Sequence, residues 1–330
     1  MRKVLVLILA ISLFTVFFAK EQVLHIYTAL DENEWPIYVN AFEKATGIKV
    51  QVVRMSSGEL LARIEAESKN PQASVWFGGP ALDQIAAKKK GLLAPYRSQA
   101  VEKVPAAFKD PDGYWVGIYF GAIGFVSNTE QLKQLGVEAP TSWYDLLKPQ
   151  FKGRISLAYP YTSGTAYTVL AALVALMGED KAFDYWKQLH KQIHHYNTSG
   201  SACVTQAGLG EITVGIAFAH DVITKGIAKG YPVVLTFPKE PTGYEIGAMS
   251  MIKGAPEPDL AAKFIDWMLS VEAQNLMVKW NRIPINPDAT VAPGAVRMQD
   301  VNVIPMDFEY FGEQKDRLIE RWKEEIEYGM

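Results

Sequence analysis

The sequence is short of several things at once, and each shortage narrows the field. It holds one cysteine, Cys203, so no intrachain disulfide can form and stability must come from a core. A chain of 330 residues, 49% of them hydrophobic, is long enough to build one. Neither sign of charge dominates: 33 basic residues stand against 36 acidic ones. There is no basic stripe, which argues against nucleic acid as a partner, and no run of like charge that would mark a disordered tail. Beyond the first twenty residues no segment approaches ~18 uninterrupted apolar residues, the length at which a membrane span would be considered. Internal repeats and low-complexity tracts are missing. So are G-x-S-x-G, H-E-x-x-H and the phosphate-binding P-loop, and no cofactor fingerprint replaces them. Asp221 and Glu245 could be imagined as a glycosidase pair, but no nucleophile or oxyanion motif accompanies them, so no enzyme is expected.

What is present begins with residues 1–19. Met1-Arg2-Lys3 is a basic start, Val4 to Phe18 is apolar apart from Ser12 and Thr15, and Ala19 is the small residue at its end. This pattern predicts a secretory signal peptide cut after Ala19. The apolar stretch, about 15 residues, is short for a membrane anchor, which needs about 20. No cysteine stands near the cut to carry a lipid. A soluble secreted protein, not a lipoprotein, is therefore expected.

The rest alternates between two periodicities. Residues 23–30 read as a strand. Glu34-Trp35-Pro36 starts a helix with proline in its first turn, Trp35, Val39 and Phe42 recur at helical spacing, and Gly47 stops it. Ile48, Val50 and Val52 alternate as a second strand. Ser56-Ser57-Gly58-Glu59 is a capping box opening a second helix. Residues 74–77 form a short buried strand, broken by Gly78-Gly79-Pro80 before a helix over 81–90. Such a β-α-β-α-β-α series predicts a mostly parallel sheet with helices on both faces and ligands beyond its carboxyl ends. Those ends are 27–31, 54–58 and 77–80.

The rhythm then restarts. A capped helix is expected at 142–147, a strand at 155–158, a turn over 160–165 opening a helix to Met177, and another helix at 180–191. Residues 197–201 open a third helix, 213–218 is a strand ending in Ala219-His220-Asp221, and 233–237 is another strand. The tail carries helices at about 257–269 and 271–280, and a charged one at about 308–327. The expected fold class is thus α/β with two lobes, each a mixed, mostly parallel sheet flanked by helices. Lobe 1 takes 20–120 plus about 241–282; lobe 2 takes about 121–240 plus 283–330. The chain crosses at 117–126 and returns at 239–247, which builds a hinge and puts a ligand cleft between the lobes.

An ordered set of short segments carries a resemblance. They are Ile26-Tyr27-Thr28-Ala29, Phe42 to Val50, Ser74-Val75-Trp76-Phe77, Gly91-Leu92-Leu93-Ala94-Pro95, Tyr161-Thr162-Ser163-Gly164, Gly210-Glu211-Ile212 and Glu272-Ala273-Gln274. With these the chain resembles the ferric-binding-protein-like group of periplasmic solute-binding proteins over nearly all of its length beyond the signal segment. The resemblance implies a two-lobed binding protein of type II, working as a monomer with an ABC permease in the membrane. Iron-binding members typically use a histidine, a glutamate and an adjacent tyrosine pair. Here Asp31 stands in the histidine place, Gly79 in the glutamate place, and His220-Asp221 in that of the tyrosines. Ferric iron favours hard anionic oxygens such as phenolates, so these replacements argue against it. The altered pattern resembles instead a branch that binds phosphorylated small molecules, hexose phosphates among them.

The residues themselves agree with an anionic ligand. Free backbone N–H groups and a partial positive charge make helix N-termini anion sites. Three candidates pair hydroxyls with glycine: Ser56-Ser57-Gly58, Thr162-Ser163-Gly164-Thr165, and Ser199-Gly200-Ser201. Each alone is also an ordinary N-cap. Gly79 joins them from its place in the family pattern. His220, Asp221 and Glu245 form the polar remainder; they suit sugar hydroxyls and would equally suit an ammonium group. Of the aromatics at strand ends, Tyr27 and Tyr161 are candidates for stacking on the ligand. Free sugars, aminoalkyl phosphonates and ferric iron remain alternatives to a hexose phosphate.

Overall fold

The computed structural model describes residues 22–329; the expected signal segment at 1–19 lies outside the described residues. Eleven strands share one continuous sheet. They are β1 (Val23–Thr28), β2 (Lys49–Arg54), β3 (Val75–Pro80), β4 (Leu93–Ala94), β5 (Val116–Asn128), β6 (Ile155–Ala158), β7 (Ile193–Asn197), β8 (Val214–Phe218), β9 (Val233–Thr236), β10 (Tyr244–Ile252) and β11 (Ile283–Pro284). The main order is β2-β1-β3-β10-β5-β8-β6-β7, with β4 on β10 and β9 and β11 on β5.

Two parallel units lie at the ends of this order and an antiparallel pair joins them. Strand β1 pairs in parallel with β2 and β3. Strand β6 pairs in parallel with β7 and β8. Between them run β5 and β10, antiparallel to each other through Tyr244–Ala122 to Met249–Val116. Strand β5 is long enough, at 13 residues, to serve both units. Its Val116–Ala122 part pairs with β10 and β11, and its Ile123–Asn128 part with β8 and β9. Strand β5 covers the segment expected at 117–126, and β10 begins within the one expected at 239–247. Strand β11, in the segment expected to belong to the second lobe, pairs with Tyr119 and Phe120.

Each half has its own core, as period-2 strands and amphipathic helices require. In the first, Phe264 meets Phe42 and Phe77 edge-on, with ring centroids 5.1 Å apart in each case. In the second, Phe125 meets Trp143 at 5.1 Å and Trp186 meets Trp322 at 5.9 Å. All seven rings are essentially inaccessible, and each contributes about 1.5–3 kcal/mol through burial.

Several local expectations needed correction. The helix at 142–147 is a 3₁₀ turn, Trp143–Leu147, because Pro149 follows too closely for an α-helix to continue. The helix at 271–280 is α-helical only through Asn275 and then tightens to 3₁₀ as far as Trp280; Asn281 follows in a left-handed conformation (φ 53°). The tail at 308–327 is two helices, Phe308–Glu313 and Lys315–Trp322, ending in a π-turn. Strand β7 was not expected at all. Its Ile-His-His-Tyr-Asn sequence is an edge strand whose residues are all at least partly exposed, so it lacks a hydrophobic alternation.

Candidate ligand-binding cleft

The carboxyl ends of the strands meet between the two halves around a cavity of about 50 Å³. Ten of the expected residues line it: Ser56, Ser57, Gly79, Ser163, Gly164, Thr165, Ser199, His220, Asp221 and Glu245. The wall divides into two clusters of different chemistry.

The first cluster is made of hydroxyls, glycines and helix starts. Helix Ser57–Ala66 begins at the end of β2, with the Ser56 amide donating to the Glu59 carboxylate at 3.1 Å. Gly79 closes in from β3 with a left-handed φ of 88°, where a side chain would be strained; a Cβ there would stand 2.5 Å from Ser57 Oγ. From the second half, Ser163 caps helix Gly164–Met177, its Oγ accepting from the Ala166 amide at 3.4 Å. Ser201 precedes helix Ala202–Leu209. Arg54, the last residue of β2, supplies a cation. Its Nε donates to the Leu30 carbonyl at 3.2 Å, and it forms no ion pair among the described residues. At the mouth Lys225 donates to Asp31 at 2.7 Å and to Ser201 Oγ at 2.9 Å, linking the two halves. Burial alone would raise the Asp31 carboxyl; Lys225 and the Asn33 amide outweigh it and hold it below its ordinary value. The halves also touch where the Gly58 amide donates to the Thr162 carbonyl at 2.9 Å.

The second cluster is a buried charge network around Arg282. Its Nε and Nη2 donate to the two oxygens of Glu34, at 2.5 and 2.8 Å. Its Nη1 donates to His220 Nε2 at 2.8 Å and to Glu245 Oε1 at 3.4 Å. The guanidinium carbon lies 3.8 Å from the centre of the Tyr119 ring. Trp280 Nε1 donates to Asp221 at 3.2 Å. Gly121 of β5 makes room for this packing, since a Cβ there would lie 2.7 Å from the His220 ring.

Burial governs how these groups titrate. It pushes Glu245 up to about 8, partly offset by Arg282. It raises Asp221 as well, against Arg282 and Lys225. His220 is held well below the usual imidazole value, first by burial and then by the adjacent guanidinium, so it is neutral. With Nε2 accepting from Arg282, the proton sits on Nδ1, which has no partner among the described residues. Arg282 stays charged: burial works against it, and Glu34 outweighs burial.

Three expected residues are elsewhere. The Tyr27 hydroxyl donates to Glu67 at 2.6 Å and its ring packs under Arg63, so it belongs to the first core and not to the cavity wall. Tyr161 turns away to Glu327 at 2.9 Å and stacks on Tyr159 at 4.9 Å. Thr162 spends its hydroxyl on the Tyr159 and Thr198 carbonyls and its own carbonyl on Gly58. Conversely Arg54, Tyr119 and Arg282 line the cavity without having been singled out for binding. Arg54 had a signal, as a charge at a strand's carboxyl end. Arg282 had none that set it apart from Lys279, three residues before it.

The model of the bacterial extracellular solute-binding protein family matches residues 77–310. The chain belongs to that family. This solute-binding protein is 40% identical to a protein of Haemophilus influenzae, over 87% of this chain and 85% of that one. It is 29% identical to a Salmonella paratyphi A periplasmic protein named for 2-aminoethylphosphonate binding, over 78% and 76% of the two chains. Among solved structures it is similar to the periplasmic binding protein AfuA of Actinobacillus pleuropneumoniae, determined with fructose-6-phosphate bound. The TM-score is 0.90 and the identity 40%, over 93% of this chain and 99% of that one. It also matches the periplasmic binding protein P5PA, at TM-score 0.89 and 34% identity over 93% and 100% of the chains. Iron-bound HitA of Pseudomonas aeruginosa, at 22% identity and TM-score 0.79, shares the fold. The fold is thus that of the two-lobed periplasmic binding proteins, and the protein is the solute-binding component of an ABC importer. Its relatives are transport components and not enzymes. No helix among the described residues is long and apolar enough to cross a membrane.

Proposed function

We propose that this protein captures a hexose phosphate by hinge closure and hands it to a membrane permease. The phosphate binds the hydroxyl-and-glycine cluster, and the sugar hydroxyls bind His220, Asp221 and Glu245. The observation that carries the reading is Arg54. Two cations line the cavity: Arg282 is paired with protein carboxylates, as Lys225 beside Asp31 is, while Arg54 has none among the described residues. An anion is what it lacks, and helix starts from both halves converge around the same space. Buried carboxyls and a neutral histidine in the second cluster offer the paired donors and acceptors that hydroxyls use. The likeness to AfuA with fructose-6-phosphate supports the same assignment.

The donor set argues against a resident ferric ion. His220 Nε2 is occupied by an Arg282 N–H, a guanidinium sits among the carboxylates, and no tyrosine pair is present. Among the described residues no three His, Cys, Asp or Glu converge as a metal site. Native mass spectrometry followed by a thermal-shift panel tests the reading. Glucose 6-phosphate or fructose 6-phosphate should stabilise the protein, while free glucose and ferric citrate should not. Asp221→Ala should abolish the shift, and Arg54→Gln should weaken binding about tenfold, the worth of one hydrogen bond to a charged group. Retained iron, or stabilisation by ferric citrate alone, would sink the proposal.

A further inference from the structure

We infer that Arg282 sets the selectivity of the cleft, making the second cluster a site for hydroxyl groups and unfit for an ammonium group. The inference rests on the phosphate reading above and goes beyond it by excluding one class of phosphorylated or phosphonylated ligand.

Counted by residue type alone, the cluster invites a cation, because three carboxylates (Glu34, Asp221 and Glu245) surround one arginine. The geometry reverses that. Glu34 is fully buried, has both oxygens on the guanidinium and does not reach the cavity. Arg282 itself does reach it. It cannot swing aside: Glu34 holds the Nε–Nη2 edge with both oxygens, His220 and Glu245 hold Nη1, and the Tyr119 ring covers a face. Any ligand group that bonds to Glu245 or His220 therefore comes close to a fixed positive charge among side chains that are themselves almost fully buried. Like charges in such surroundings are weakly screened.

Donor counting points the same way. Four of the guanidinium's five N–H groups are engaged, and the remaining one on Nη2 needs an acceptor. A hydroxyl can accept from it and donate to a carboxylate at once. An ammonium has only donors. Burial also raises Glu245, so an ammonium would first have to displace a proton to gain a counterion there.

Isothermal titration with matched pairs tests this, each pair differing in one hydroxyl against one ammonium. The pairs are glucose 6-phosphate with glucosamine 6-phosphate, and 2-hydroxyethylphosphonate with 2-aminoethylphosphonate. The wild-type protein should prefer the hydroxyl member by about tenfold or more. Glu34→Gln combined with Arg282→Gln removes the buried pair without stranding a charge, and should narrow that ratio to about threefold or invert it. Selectivity is the readout because loss of packing would weaken both members alike. If the double variant does not fold, Arg282→Lys decides: with the cation kept, the preference must stay with the hydroxyl even as affinity falls. A wild-type preference for the amino member overturns the inference and leaves the anion reading standing, as does a folded double variant with unchanged selectivity or a lysine variant that loses it. Absence of binding by all four compounds would instead overturn the anion reading and the inference with it.

Discussion

The two clusters of the cleft are built by opposite means. The first uses main chain: helix starts, glycines and short hydroxyls, drawn from both halves and closed by the Gly58–Thr162 contact. The second uses long charged side chains anchored from four separate stretches of sequence, at Glu34, His220–Asp221, Glu245 and Arg282. Backbone donors hold fixed positions, so the first cluster discriminates by fit and depends on closure. The second discriminates by charge and protonation. Changes in the first should act on the open–closed equilibrium, and changes in the second on pH dependence and ligand choice.

The largest effect should come from Gly58→Ala. An added Cβ would overlap the Tyr161 carbonyl oxygen and lie 2.8 Å from the Thr162 carbonyl carbon, and backbone cannot step aside. Gly58 lies in the first turn of a regular helix, so alanine suits the backbone there and leaves the unfolded chain less freedom than glycine does. The closed state is penalised and the separated lobes are not. Apparent affinity scales with the population able to close, so it should drop by about a hundredfold while the ligand-free melting temperature holds or rises slightly. Calorimetry and small-angle scattering, with and without glucose 6-phosphate, would check both halves of that statement. Unchanged affinity would mean that the halves do not close against Thr162.

The same contrast explains what could be read from the sequence. The first cluster was legible because capping chemistry is local: Ser56 and Glu59, or Ser163 and Gly164, announce a helix start within four residues. The first parallel unit was legible because strand and helix periods alternate cleanly from Val23 to Lys89, whereas the second lost its edge strand β7, which has no hydrophobic alternation. Arg282 was not legible, since nothing near it in sequence indicates that Glu34, 248 residues away, will put both its oxygens on the guanidinium. Tyr27 and Tyr161 misled for a related reason. A strand end fixes the backbone position, but Glu67 and Glu327 decide where the hydroxyl goes.

A middle-sized effect belongs to the second cluster and appears in pH. Folding raises the Glu245 carboxyl from its ordinary 4.5 to about 8. Between those values the folded protein holds a proton that the unfolded chain has released, so stability from this group declines as pH rises and levels off above 8. His220 works in the opposite direction: its folded value lies well below 6.5, so its penalty appears only as pH falls through 6.5. Over the interval from about 6.5 to 8 the share of Glu245 is worth at most about 2 kcal/mol, and the Asp221 and Glu34 carboxyls, which burial also raises, act with the same sign. Melting temperature measured without ligand should decline by a few degrees across it, and Glu245→Gln should flatten the profile. A wild-type profile already flat there would mean that the carboxyl is ionised in the cleft.

The smallest effect should be that of Lys225→Met. Lys225 spans the mouth of the cleft to Asp31 and Ser201, and at first sight it is the obvious latch. Its side chain and that of Asp31 keep 20% and 12% of their exposure, however, and a bridge that water can reach gains little after side-chain ordering is counted. Ligand affinity should fall by a factor of about three to five, mostly through faster dissociation, and the difference should shrink in high salt. A loss well beyond tenfold would assign Lys225 a different role. The charge would then be passed through Ser201 to the anion itself, and the first cluster would owe its preference for phosphate to Lys225 as much as to Arg54.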